Sequence, residues 1–204
     1  MKIKKWITLA FLCASLTVTA NAQSTNSGSS SETETETETG GGVICYSKSD
    51  AYLVGVPDGW VNQTQAASYN GLCAIYTPQG QNFDNANAAI YPRMDDLPPN
   101  TSGSKAIEAI VAKALSYFGS MPGGVNLVAN KSKTIKTKSG LEFEIWLYDN
   151  GPGANKHEAI AYHAGKDAVF FLVLTAREKE YRDNALPVLE NMVKTMMTLE
   201  VSQK

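Results

Sequence analysis

Val169-Phe170-Phe171-Leu172-Val173-Leu174 is an unbroken apolar run, with Gly165-Lys166-Asp167 ahead of it and Glu158 to His163 ahead of that. Six apolar residues are too few for a buried helix and show no polar alternation. They read as a central strand covered on both faces. The Gly-Lys-Asp turn joins that strand to the preceding one as a hairpin. A strand with two buried faces needs a layer above and a layer below, and the flanking sequence supplies both.

Downstream, a helix begun by Pro187 carries Leu189, Met192, Val193, Met196 and Met197 on one face. Upstream, Thr134 to Tyr148 reads as a hairpin around Ser139-Gly140. A loop of three residues pairs Lys138 with Glu142, Lys136 with Glu144 and Ile135 with Ile145. That register puts Ile135, Phe143, Ile145 and Leu147 on the buried face, and the charged residues with Trp146 on an outer one. Lys131 and Lys133 break the phase, so the strand starts near Thr134 or carries a bulge.

Further upstream lies an amphipathic helix capped by Ser104, with Ile107, Ile110, Val111, Ala114, Leu115 and Phe118 inward and Gly119 and Pro122 closing it. Residues 94–103 read as loop. Ahead of them, Ala51 to Val56 is a strand ended by Pro57-Asp58-Gly59, Leu72 to Tyr76 is a second apolar run, and Ala88 to Tyr91 a third that stops at Pro92. The order predicts an α+β fold: an αβα sandwich around a central antiparallel β-sheet, with a helix after the early strands and a C-terminal helix.

The N-terminal region has other tasks. Lys2, Lys4 and Lys5 precede the apolar run Trp6–Leu16, and Ala20-Asn21-Ala22 follows. These are the three parts of a cleaved signal peptide over residues 1–22. The 11-residue run falls short of the about 20 that span a bilayer, which predicts export to the periplasm, with release outside the cell as a further option, and no stable membrane insertion. Residues 23–42 contain nothing from AVILMFWYC and repeat Glu-Thr from Glu32 to Thr39, the composition of a disordered acidic tether. Residues 43–204 then form a single domain.

Overall composition is that of a globular protein: 204 residues, 43% hydrophobic and 19% charged. The domain holds 15 Lys and Arg against 16 Asp and Glu. That near-neutrality gives no basis for nucleic acid as a partner. After Cys13 leaves with the signal peptide, Cys45 and Cys73 remain as a pair in an oxidising compartment, which predicts a structural disulfide.

Catalytic constellations do not emerge. No Gly-x-Ser-x-Gly is present, and Gly151-Pro152-Gly153-Ala154-Asn155-Lys156 lacks the spacing of a phosphate loop. His157 and His163, six apart on one strand, stand about 20 Å from each other, too far to share a metal. Glu142 and Glu144, with Trp146 and Tyr148 nearby, suggest a glycan-acting hydrolase as an alternative, although lysine partners explain them as paired surface charges. Asp95-Asp96 in a loop, or His157, suggest a metal-responsive protein. The reading is therefore catalytic residues none, metal ligands none and cofactors none.

Val54-Gly55-Val56-Pro57-Asp58-Gly59-Trp60 resembles the strand-then-Pro-x-Gly-Trp opening of the PsbP-like (Mog/PsbP-type) family. Glu142 to Tyr148, Lys156-His157, Asp167 to Ala176, Tyr181 and the closing Leu189, Val193 and Met196 resemble it too, so the likeness covers about residues 50–200. It implies an αβα sandwich that mostly binds or supports other proteins and has no shared catalytic machinery, and the N-terminal signal makes the expected protein a bacterial exported member. The expectation is a non-catalytic exported binding or accessory protein whose partner is a protein or a small ligand.

Overall fold

The structure, a computed structural model, describes residues 42–47, 49–121, 126–152 and 156–200. The expected signal peptide, residues 1–22, and residues 23–41 of the expected tether lie outside them. The described strands form two antiparallel sheets. The smaller is ordered β1 (Val43–Tyr46), β2 (Asp50–Val54), β10 (Met197–Glu200). The larger runs β3 (Trp60–Asn62), β4 (Tyr76–Pro78), β5 (Ala88–Asp96), β9 (Ala168–Ala176), β8 (His157–Ala164), β7 (Glu142–Asp149), β6 (Val128–Lys136).

The apolar run that began the reading is β9, buried at every position. Its alternating side chains feed two cores. Phe171 and Val173 pack under α2 (Gly103–Gly119), with Ile107, Ile110, Val111 and Phe118. Phe170, Leu172 and Leu174 point to the other face, with Leu189, Met192 and Val193 of α3 (Lys179–Thr195) and with Tyr52 and Val54 of the small sheet. α2 and a short α1 (Thr64–Tyr69) thus cover one face of the large sheet, and α3 beside the small sheet covers the other. The fold is the expected α+β sandwich.

Several local expectations are corrected. The strand after Asn87 does not stop at Pro92 but runs to Asp96, with Pro92 opposite Leu172. Among the described residues β4 meets β5 only at Tyr76↔Ile90, so one flank at Pro92 has no neighbouring strand, where a missing N–H costs no ladder bond. Residues 94–96 are therefore strand rather than loop. Of the run Leu72–Tyr76 only Tyr76 is strand. The strand expected over Ala51–Val56 spans Asp50–Val54, and β1, β3, α1 and β10 are additional to the sequence reading.

Helix α3 starts at Lys179, and Pro187 lies inside it. Burial of Ala185 and Arg182 ahead of the proline extends the inward stripe, and packing prevails over the proline's cost. Met197 leaves the helix for β10. Ser104 does not cap α2: Ser102 holds the cap position without a side-chain bond, and the Ser104 hydroxyl donates to Glu144.

The β6–β7 hairpin keeps the expected alternation but pairs Lys136 with Glu142, Ile135 with Phe143 and Thr134 with Glu144. Its three-residue loop is Lys138-Ser139-Gly140, closed by Thr137 N–H to Leu141 O at 2.9 Å. Gly140 has φ +88°, so it belongs at the third loop position, where the chain turns left-handed. Centring the loop on Ser139 rather than Gly140 moves every pair by two and spares the alternation. A bulge between Lys131 and Lys133 absorbs the phase break.

Candidate functional site

Where the small sheet meets the β8–β9 turn, a cleft of about 640 Å³ opens between Asp50 and Tyr52 of β2, His163 and Lys166 of the hairpin, Leu141, and Thr198 of β10. Backbone constraints shape it. A Cβ on Gly165 would lie 2.5 Å from Asp50 Oδ2 and 2.6 Å from the Tyr52 hydroxyl, so the turn approaches β2 as closely as only glycine allows.

Asp50 is buried at 8% exposure, and its Oδ2 accepts the Lys166 backbone N–H at 2.9 Å. The Tyr52 hydroxyl also donates to Asp50. Burial, with the negative charges of Asp50 and Asp167 behind it, pushes the Tyr52 phenol far up, so it stays a neutral donor. Ser47 ties the β1–β2 turn to the hairpin: its Oγ donates to Asp167 Oδ1 at 2.9 Å and accepts the Asp50 N–H at 2.9 Å.

His163 is braced by rings, with Phe143 at 5.1 Å and Tyr52 at 5.9 Å between centroids. Its Nδ1 lies 2.8 Å from the Glu142 carbonyl oxygen. A carbonyl can only accept, so Nδ1 carries a proton and Nε2 is the ring nitrogen left for a ligand. The cleft wall thus offers an oriented imidazole nitrogen, the Asp50 carboxyl, hydroxyls and the flexible Lys166, with Leu141 as an apolar shoulder.

The candidates named from sequence lie elsewhere. Glu142 is on the exposed rim of β7 and pairs with Lys136 at 2.9 Å, not Lys138. Glu144 is not on an outer face: it lies at 5% exposure under α2, bonded by Ser104, Lys131 (3.0 Å) and Trp146 Nε1 (3.2 Å). Burial raises its pKa, but those three donors outweigh burial and hold it below the ordinary range. A carboxyl held toward its ionised form is poorly suited to protonate a leaving group, which counts against Glu144 as the acid of a glycosidase.

His157 and His163 sit at opposite ends of β8, opposite Ala176 and Phe170. His157 Nδ1 is bonded to Asp149 Oδ1 at 2.8 Å, and the buried Arg182 reaches the same oxygen at 2.6 Å. Asp95 lies on β5 near Arg93 at 3.9 Å. Among the described residues no three His, Cys, Asp or Glu side chains are placed to share a metal, and no helix is long and apolar enough to cross a membrane. Cys45 and Cys73 are bonded, joining β1 to the segment before β4. Asp50, Tyr52, Lys166 and Thr198 were missed as a group. Their only signal was the Gly165-Lys166-Asp167 turn, because three distant segments build the cleft.

No family model and no curated protein matches the chain. Among solved structures it is similar to cyanobacterial PsbP (CyanoP) from Synechocystis sp. PCC 6803, at 9% identity and TM-score 0.45, over 72% of this chain and 86% of that one. It is also similar to the Saccharomyces cerevisiae Ran-binding protein Mog1p, at 12% identity and TM-score 0.44, over 76% and 89%. The likeness is one of overall arrangement, and no residue role is transferred from either.

Proposed function

We propose that this is a non-catalytic exported protein, an accessory or binding module of the PsbP-like type, which holds a protein segment or small ligand in the cleft between its sheets. The observation that carries the reading is that the cleft's polar groups are set by the fold itself. Asp50 is pinned by a backbone amide, His163 by a backbone carbonyl and Tyr52 by Asp50. Groups fixed in advance lose little freedom when they bind, which favours recognition. The Lys-headed apolar segment and Ala20-Asn21-Ala22 support a periplasmic residence.

The test is a photo-crosslinking residue at Thr198, compared with one at Glu108 on the exposed side of α2. In the native envelope the Thr198 probe should give one dominant adduct, which Lys166→Glu abolishes and the Glu108 probe never forms. Identical adducts from both positions, or none from Thr198, would overturn the assignment.

A further inference from the structure

Lys131, Lys133, Lys136 and Lys179 each hold a carboxylate at 2.6–3.0 Å. Lys166, in the cleft wall, holds none among the described residues, and neither does Lys138 or Lys194. Lys138 stands in the turn that leads to Leu141, a lining residue, and its backbone N–H donates to the Lys194 carbonyl at 3.4 Å. The end of α3 and the β6–β7 turn therefore meet at the edge of the cleft, and all three lysines are exposed. Among the described side chains, the carboxyls of the adjoining segments are already engaged. Asp50 accepts the Lys166 N–H and the Tyr52 hydroxyl, Asp167 accepts the Ser47 hydroxyl, and Glu142 holds Lys136. The cleft mouth is thus bordered by three cations without a carboxylate of their own.

We infer that these cations receive the chain's own acidic tract, so that Glu32 to Thr39 occupies the cleft mouth. This rests on the cleft being the binding site proposed above, and it names the ligand class: an extended, glutamate-rich segment. In Glu32-Thr33-Glu34-Thr35-Glu36-Thr37-Glu38-Thr39 every second residue is acidic. An extended chain puts such residues on one side, about 6.6 Å apart, which lines up the glutamates toward the lysines and the threonines away from them.

Reach permits this. Gly42 is seated on Leu53, where a Cβ would come within 2.7 Å of Cδ1, and this fixes the point at which the tract joins the domain. From Leu53 along β2 to Asp50 at the cleft is about 10 Å. Glu38 stands four residues before Gly42 and Glu32 ten, lengths that span up to about 14 and 35 Å. Gly40 and Gly41 allow the turn back toward the cleft. Single exposed ion pairs are weak, but a short tether holds its tract at millimolar effective concentration. The tract is then a built-in competitor that an external partner must displace.

The purified exported chain, with the photo-crosslinker at Thr198 and no other protein present, tests this. Mass spectrometry should find an adduct within one molecule, between position 198 and a peptide of residues 23–42. Glu32→Gln, Glu34→Gln, Glu36→Gln and Glu38→Gln together, all outside the folded domain, should reduce that adduct several-fold. Lys166→Glu should do the same, as should about 1 M salt, where charges are screened beyond about 3 Å. Lys105→Glu, on the exposed side of α2 across the large sheet, should leave it unchanged. No intramolecular adduct from the parent would overturn the inference. So would an adduct that survives the four Gln replacements, one that Lys105→Glu removes equally, or one that joins labelled to unlabelled copies in an isotope mixture. An envelope adduct at Thr198 without an intramolecular one would remove the tract and leave the cleft's role standing. Absence of both would remove both.

Discussion

Glu158 is a carboxyl buried without a good partner. It lies at 1% exposure on the α2 face of β8, in one row with Tyr148 of β7 and Thr175 of β9, and neither of its oxygens makes a hydrogen bond of good geometry within the described residues. Tyr91 and Arg93 of β5 and Tyr162 of β8 complete its surroundings. Burial drives its pKa well above 4.5, only partly offset by the Thr175 hydroxyl and the Arg93 charge, so the native carboxyl stays protonated as pH rises past 4.5. The unfolded chain ionises there and the native one does not, so stability is full below about pH 4.5 and falls as pH climbs toward the native pKa. Glu158→Gln cannot ionise. It should therefore melt higher than the parent at pH 8, with a gap that closes by about 1.4 kcal/mol per pH unit through that window and is gone below pH 4.5. Parallel melting curves at every pH would show that Glu158 is solvated. Nothing in Glu158-Ala159-Ile160 marks this residue as buried. Its burial follows from neighbours on two other strands and from helix α2, which ends at Gly119, beyond the reach of a local pattern.

Elements were legible where a pattern was long and regular, and misread at their ends. The α2 stripe and the β8–β9 hairpin required nothing beyond period and turn. A proline favours the first turn, which makes Pro187 read as the start of α3, although Arg182 and Ala185 already continue the inward face. Inside the helix Pro187 leaves the Asp183 carbonyl without its usual donor, and its ring is exposed. Pro187→Ala should raise stability by about 1–3 kcal/mol, read as a higher urea midpoint. A lower midpoint would mean that the proline itself helps to seat Leu189 and Met192. The cysteine pair was read correctly from its count. It fastens edge strand β1 across a 28-residue loop, and its reduction should lower the melting temperature, with a chain-entropy loss of roughly 3–4 kcal/mol. Equal midpoints with and without reductant would remove that role.

At the scale of the whole molecule, β9 is the wall common to both cores, and the layered plan was visible in its six apolar residues. The small sheet was not. Met197-Thr198-Leu199-Glu200 is too short to announce a strand, and Met197 falls in phase with the helix before it. Amide exchange should rank the elements accordingly, with β9 and β8 protected longest and β1 and β10 exchanging first. Slow exchange in β10 and fast exchange in β9 would invert this picture. The pairing of Leu53 with Met197 also has a temporal side. Synthesis runs from the N-terminus, so β2 leaves the ribosome long before β10 exists, and until then one flank of β2 is an open template. Every newly made copy passes through an interval in which a foreign strand can take β10's place. The short length of β2 and the speed of elongation set how often that happens, and a chain cut short before Met197 would stay in that vulnerable state for its whole lifetime.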